Sequence, residues 1–170
     1  FSIPAKEKLS SSAGMSIGHS WFHNYSGHSE HGMNVSLNFQ PALDRYFRID
    51  SSFSINFHLN ERTKDELAGL ARKVVFLAPQ LTFGPEIVLP VFNDRLLLFS
   101  GAGLSFLVGI NYSEKTNDAT ADFSPGFYAR CGFDIVFTKF FGLGINSKYS
   151  WSMIHNPHIL SFNLNLNFRY

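Results

Sequence analysis

The sequence predicts an all-β fold, an antiparallel up-and-down transmembrane β-barrel of about eight strands. Three observations predict it. Leu160, Phe162, Leu164, Leu166, Phe168 and Tyr170 alternate with Ser161, Asn163, Asn165, Asn167 and Arg169, a period of two that sends apolar side chains to one strand face and polar ones to the other. The same alternation recurs along most of the chain. Aromatic residues make up 16% of the 170 residues, with 19 Phe, while charged residues are also only 16%. So much apolar surface needs something other than water to face. Mean hydropathy is nevertheless near zero, and no apolar run approaches the roughly 20 residues of a membrane-spanning helix. Runs such as Val74 to Pro79 and Leu96 to Phe99 are strand-sized.

The length suits a single domain. One cysteine, Cys131, excludes an intramolecular disulfide. A net charge of +1 gives no case for nucleic acid. The start at Phe1 lacks a basic region followed by an apolar one, so the chain is expected to be a mature form.

Residues 1–10 show no period and read as a short N-terminal tail, leaving 11–170 as one barrel domain. The first strand sets Ala13, Met15, Ile17, His19 and Trp21 against Gly14, Ser16, Gly18 and Ser20, and a polar loop runs from His23 to His31. The second carries Met33, Val35, Leu37 and Phe39 outward, and Pro41 to Arg45 makes a tight turn. The third sets Phe47, Ile49, Phe53, Ile55 and Phe57 against Arg48, Asp50, Ser52, Ser54, Asn56 and His58. Asn60 to Lys73 reads as a long charged loop with helix formers between Lys64 and Arg72. The fourth strand sets Val75, Leu77, Leu81, Phe83 and Ile87 against Gln80, Thr82, Gly84 and Glu86, ending at a turn on Asn93 and Asp94.

In the fifth strand Leu96, Leu98, Ala102, Leu104, Phe106, Val108, Ile110 and Tyr112 take one parity, with Gly101, Gly103, Ser105, Gly109 and Asn111 on the other. Glycines on one parity suit a crowded interior. Ser113 to Asp122 reads as a third polar loop. The sixth strand pairs outward Phe127, Ala129, Cys131, Phe133, Ile135 and Phe137 with inward Tyr128, Arg130, Gly132, Asp134 and Thr138. After a short turn at Lys139 and Phe140, the seventh sets Leu143, Ile145, Tyr149, Trp151 and Met153 against Gly142, Gly144, Asn146, Lys148, Ser150 and Ser152. A loop around His155 to His158 precedes the closing strand.

Which face meets water decides between a membrane barrel and a soluble one. The polar face is built of Gly, Ser and Asn, sizes that fit a narrow eight-stranded interior, whereas the other face is bulky. The apolar face is therefore expected outside, against lipid. Its aromatics near strand ends (Trp21, Tyr46, Phe47, Tyr112, Phe137, Phe141, Trp151, Tyr170) fit interfacial girdles. The inner charges Arg48, Arg130, Lys148 and Arg169 stand against Asp50, Glu86 and Asp134. Balanced signs permit an internal salt-bridge network, and the expected consequence is a plugged lumen.

The closing stretch Leu160 to Tyr170, with its terminal aromatic, resembles the last strand of bacterial outer-membrane β-barrels. The run Gly126 to Trp151 resembles the penultimate hairpin of the small barrels of the outer membrane protein A, X and W type. The resemblance implies a diderm outer membrane, both termini in the periplasm, insertion by the barrel assembly machinery, and contact with outer-membrane lipid and lipopolysaccharide. The chain is taken as a monomer. Family members serve as anchors, adhesins, small-solute routes or lipid A modifying enzymes, so no single activity is implied.

Chemistry-bearing residues gather at one end. His19 and His58 lie near strand tops, His23, His28 and His31 in the first long loop, and His155 and His158 in the last. Closure of the barrel makes those loops neighbours, with Glu30 beside them. Such imidazoles read either as solvated loop residues or, through His23, His28, His31, His155 and His158, as a zinc or copper site or a pH sensor. No other cofactor is expected. Lipid A deacylases of this fold resemble one another in a His and a Ser two residues apart, and no His here is followed two positions later by Ser; no catalytic residue is assigned. The reading is a non-enzymatic barrel whose loops contact host or extracellular proteins, with a lipid A modifying enzyme or a narrow transport barrel as alternatives. If the loop histidines bind metal, alanine at His23, His28 and His31 abolishes stoichiometric zinc uptake by the refolded protein; unchanged uptake would sink that reading.

Overall fold

A strand with one apolar and one polar face still carries two unpaired edges, and closure into a ring removes them. In the computed structural model eight antiparallel strands close in chain order: β1 (Ser12–His23), β2 (Ser29–Gln40), β3 (Phe47–Arg62), β4 (Arg72–Val91), β5 (Leu96–Ser113), β6 (Asp118–Thr138), β7 (Phe141–Ser152) and β8 (His158–Arg169). The structure describes residues 9–23, 29–62, 72–113, 118–154 and 158–170. The seam pairs β1 with β8, setting Ile17 opposite Leu164 and Ser20 opposite Ser161.

The connections 41–46, 92–95 and 139–140 mark one end of the barrel, and the opposite end carries the other four, of which 63–71 is the longest. We call these the turn end and the loop end. Asn93 and Asp94 adopt φ of 56° and 66°, the left-handed region that a two-residue hairpin turn demands and that Asn and Asp tolerate. Phe92 shares it at φ 50°, at a cost of roughly 1–3 kcal/mol for a bulky side chain.

The strand faces partition as the alternation predicts. Met15, Ile17, Leu37, Phe53, Phe83, Leu104, Ile145, Leu164 and Phe168 all project outward and are 40% or more exposed. Ser20, Asn34, Ser54, Asn56 and Thr82 are wholly buried in the lumen. Polar side chains pair across neighbouring strands there: Asn34 Nδ2 donates to Asn56 Oδ1 (2.7 Å), Asn146 Nδ2 to Asn165 Oδ1 (2.7 Å) and Gln80 Nε2 to Ser105 Oγ (2.7 Å). Each such bond contributes about 1 kcal/mol net, and losing one partner costs more than that by stranding the other. At the turn end Phe39 stacks on Tyr170, and Phe137, Phe141 and Phe168 form a second ring chain. From Ala13 to Trp21 the strand climbs about 26 Å at roughly 3.3 Å per residue. A tilt of roughly 40° makes that about 20 Å along the axis, close to the roughly 25 Å apolar band of a membrane barrel.

The structure differs from the sequence expectations in three places. The stretches expected as loops are partly strand: β3 and β4 run to Arg62 and from Arg72, and β6 begins at Asp118. These central strands hold 16 to 21 residues against 12 in β1, β2, β7 and β8, so two hairpins extend past the rest at the loop end. Paired backbone in the ladder outweighs the polar composition there. The helical turn expected between Lys64 and Arg72 lies outside the described residues except for Arg72, which opens β4. Secondly, the interior is not limited to small and polar groups, since Phe22, Val88, Leu97, Phe99, Leu107 and Ile159 are buried inside. Thirdly, the tail is engaged at its end: Leu9 is buried and Ser11 Oγ accepts the Ala42 N–H at 3.0 Å.

Leu164→Arg, at mid-height on the outer face, is expected to cost about 2–4 kcal/mol, and Phe168→Arg in the turn-end girdle about 0–1 kcal/mol. Urea titration in lipid vesicles measures both. Equal, negligible costs would mean that this face does not meet lipid.

Candidate functional site

Strands β3, β4 and β6, with β5 between the last two, build an ion cluster inside the lumen. Arg48 and Asp50 sit two apart on β3, both inward, and Arg48 lies directly across from Glu86 on β4. On β5 the next partner is Gly101, which in turn faces Arg130 on β6. A glycine at that position leaves the space between Glu86 and Arg130 empty of side chain; a Cβ there would lie 3.0 Å from Glu86 Cβ. Arg130 Nε therefore approaches Glu86 Oε1 to 3.0 Å, an ion pair without hydrogen-bond alignment.

The remaining contacts complete the cluster. Arg48 Nε donates to Glu86 Oε2, and Arg130 donates through a terminal nitrogen to Asp50 Oδ1. Tyr128 Oη donates to Asp50 Oδ2 at 2.9 Å, and Arg48 reaches Asp134 Oδ2 at 3.5 Å. Asn167 Nδ2 donates to Asp134 Oδ1 at 2.8 Å. Both guanidinium carbons lie 4.8 Å from the centroid of the Phe99 ring, a cation–π arrangement strengthened by exclusion of water. Lys148 is buried as well, with Nζ donating to Ser54 Oγ (3.3 Å) and Ser52 Oγ (3.4 Å) and, among the described residues, no carboxylate in direct contact. Among the described residues three cations and three carboxylates thus share the lumen. Arg169, the seventh charge singled out in the sequence, lies lower. It is half-buried at the turn end and lines an open cavity of about 500 Å³ with Arg45, Asp94, Arg95 and Lys139.

Apolar residues bracket this polar column. Leu9, Ala42, Val88, Leu97 and Phe99, with Val136 against them, form a cluster toward the turn end. Phe22, Ala78, Leu107 and Ile159 form another toward the loop end. Between the ion cluster and the turn-end mouth, beside Arg48, Asp134 and Arg169, is a cavity of about 10 Å³, room for about one water. Such an interior holds its own charges in place.

Sequence reasoning missed these plugs, yet a signal was present. Where a run is apolar on both parities, as at Trp21–Phe22, Ile87–Leu89, Leu96–Phe99 and Ile159–Leu160, the inward residues cap the lumen.

Of the sequence-predicted metal ligands, His28 and His155 lie outside the described residues. His23 and His158 face one another across the β1–β8 seam, and His158 Nδ1 is 2.6 Å from Tyr149 Oη. His31 belongs to β2, not to a loop, and points outward beside Trp21 and His19. Among the described residues no group of three or more His, Cys, Asp or Glu is arranged to hold a metal ion. Cys131 is exposed on the outer face.

An apolar exterior and a polar, ion-paired interior define a membrane-spanning barrel. Its fold is that of the small eight-stranded outer-membrane barrels. Neisserial surface protein A superposes with a TM-score of 0.74 at 9% identity, over 97% of this chain and 100% of that one. OprG from Pseudomonas aeruginosa gives 0.63 at 9% identity, over 96% and 97%. Ail, the attachment invasion locus protein of Yersinia pestis, solved with the heparin analogue sucrose octasulfate, gives 0.58 at 15% identity, over 95% and 100%. No protein-family model and no curated protein matches the sequence.

Arg130→Met strands Asp50 inside the lumen and is expected to cost about 3–5 kcal/mol. Lys148→Met, whose partners are hydroxyls, is expected to cost far less. Guanidinium unfolding in vesicles compares them, and similar losses would show that Lys148 is as firmly coupled to the carboxylates as Arg130.

Proposed function

We propose that this chain is a structural and surface-interaction protein of the bacterial outer membrane. Its termini and short turns face the periplasm, and its loop end faces outward. The observation that carries the reading is the lumen: a balanced ion cluster between two apolar plugs, Leu9–Val88–Leu97–Phe99 and Phe22–Leu107–Ile159. A barrel built this way acts through its outside. The long β3–β4 and β5–β6 hairpins are the parts that stand furthest from the membrane, and they are the contact surface for an extracellular or host protein. The likeness to a neisserial surface protein and to an attachment invasion locus protein supports this direction. Lipopolysaccharide surrounds the outer face, and the barrel assembly machinery inserts the chain.

The lipid A modifying alternative is the weaker one, because the nitrogen partner of His19 is His31, another imidazole, where a catalytic base would use an oriented carboxylate. The transport alternative requires a polar path that the two plugs interrupt.

Expression in a laboratory diderm strain, with adhesion to cultured epithelial cells as the readout, tests the proposal. Adhesion rises with the intact chain and falls to background when residues 63–71 are replaced by Asn-Gly; the same preparations give no stepwise conductance in planar bilayers. Conductance, or altered lipid A acylation in the expressing strain, would contradict it.

A further inference from the structure

The outer face holds a cluster that the sealed-lumen reading does not use. On β1 and β2, Trp21 lies opposite His31 and His19 opposite Met33, so His19 and His31 are diagonal neighbours on the same outward face, a spacing that long side chains bridge. His19 Nε2 and His31 Nδ1 are 3.3 Å apart. Their rings are tilted by 33° with centroids 5.5 Å apart. The Trp21 ring stands edge-on to His19 at 4.4 Å and to His31 at 6.0 Å, and Phe162 packs against Trp21 at 5.4 Å. The aromatic pair restricts both imidazoles before anything binds.

We propose that His19 and His31 form a two-imidazole site for a divalent late transition ion, zinc or copper(II), on the membrane-facing surface at the loop-end girdle. The nitrogen separation carries the argument. A tetrahedral ion with bonds of about 2.05 Å to nitrogen has ligands about 3.3 Å apart along each edge, so the pair already spans one edge. Imidazole nitrogen is the donor these borderline ions favour over the calcium and magnesium of the envelope, which take oxygen. No third His, Cys, Asp or Glu joins the pair among the described residues. The remaining positions therefore take water or a phosphate oxygen of the headgroup layer, the level at which an interfacial tryptophan sits. The site is distinct from the loop-histidine set: it uses His19, and it dispenses with His23, His28, His155 and His158.

Trp21 supplies the readout. The chain has two tryptophans, Trp21 and Trp151, so a Trp151→Phe background isolates the one in contact with the pair. In detergent-refolded protein with its heat-dependent gel shift intact, copper(II) is expected to quench Trp21 fluorescence with saturation at one equivalent. Copper resonance spectra are expected to show two coupled imidazole nitrogens, and added zinc to restore the fluorescence by competition. His19→Ala or His31→Gln raises the half-quenching concentration at least about tenfold, since losing a ligand costs no less than losing a ligand's own support, and reduces the coupled nitrogens to one. A variant with His23, His28, His155 and His158 all changed to Ala retains the full quenching. Loss of quenching in that quadruple variant, with retention in His19→Ala, would overturn the proposal in favour of the loops. No saturable quenching at all would leave the 3.3 Å contact as an ordinary hydrogen bond between the two imidazoles and overturn it equally.

Discussion

Arg48 and Arg130 sit in the middle of a barrel too narrow to bring bulk water to them, and that constraint governs the interior. Even after relaxation, each ion taken from water into a low-dielectric interior costs several kcal/mol unless it is met by opposite charge and hydrogen bonds. Asp50, Glu86 and Asp134 meet that demand from three different strands. Because the carboxylates come from β3, β4 and β6, the cluster can form only when those strands are in register. The ion pairs therefore specify the closed barrel as much as they stabilise it. Phe99 below the two guanidinium groups, and Gly101 and Gly132 beside them, are consequences of the same need for space. A Cβ on Gly132 would come within 2.7 Å of the Phe99 ring.

The outward face is subject to the opposite demand. Its side chains are costly to leave against water and are met by lipid instead, so a barrel with Leu37, Phe53, Leu164 and Phe168 on its surface belongs in a bilayer. Aromatic rings at the two rims then fix its height. The loop-end rim differs from the turn-end rim in carrying imidazoles among the rings, at His19, His31 and His158. That asymmetry gives the two ends different chemistry: phenyl and phenol groups toward the turns, imidazole nitrogen toward the loops.

Much of this was legible in the sequence because a period of two is a direct statement about faces. The eight strands, the turn at Asn93 and Asp94, and the inward placement of Arg48, Asp50, Glu86, Arg130, Asp134 and Lys148 all follow from alternation. Alternation alone does not say which inward residues will be large. Leu97 and Phe99 were hidden in an apolar run whose other parity, Leu96 and Leu98, already accounted for it. Strand length was also underread, since Asp118 to Asp122 is polar and looks like loop, yet ladder pairing with β5 keeps Asp118 to Asp122 extended. The pairing of His19 with His31 depends on a diagonal offset between β1 and β2, which is fixed by register and invisible to composition. His28 and His155 fall outside the described residues, so the loop-histidine expectation remains a proposal beside the His19–His31 site.

The central claim is that apolar residues face lipid while the lumen stays polar and closed, and methionine methyl groups test it most directly. The chain has three methionines, Met15, Met33 and Met153, all on the outer surface. With methyl-labelled methionine in lipid nanodiscs, the account predicts that an acyl-chain spin label broadens the Met15 and Met33 signals while a water-soluble gadolinium chelate leaves them sharp. Broadening of Met15 and Met33 by the chelate, with no effect of the lipid label, would show that the outward face meets water and that the barrel has been read inside out.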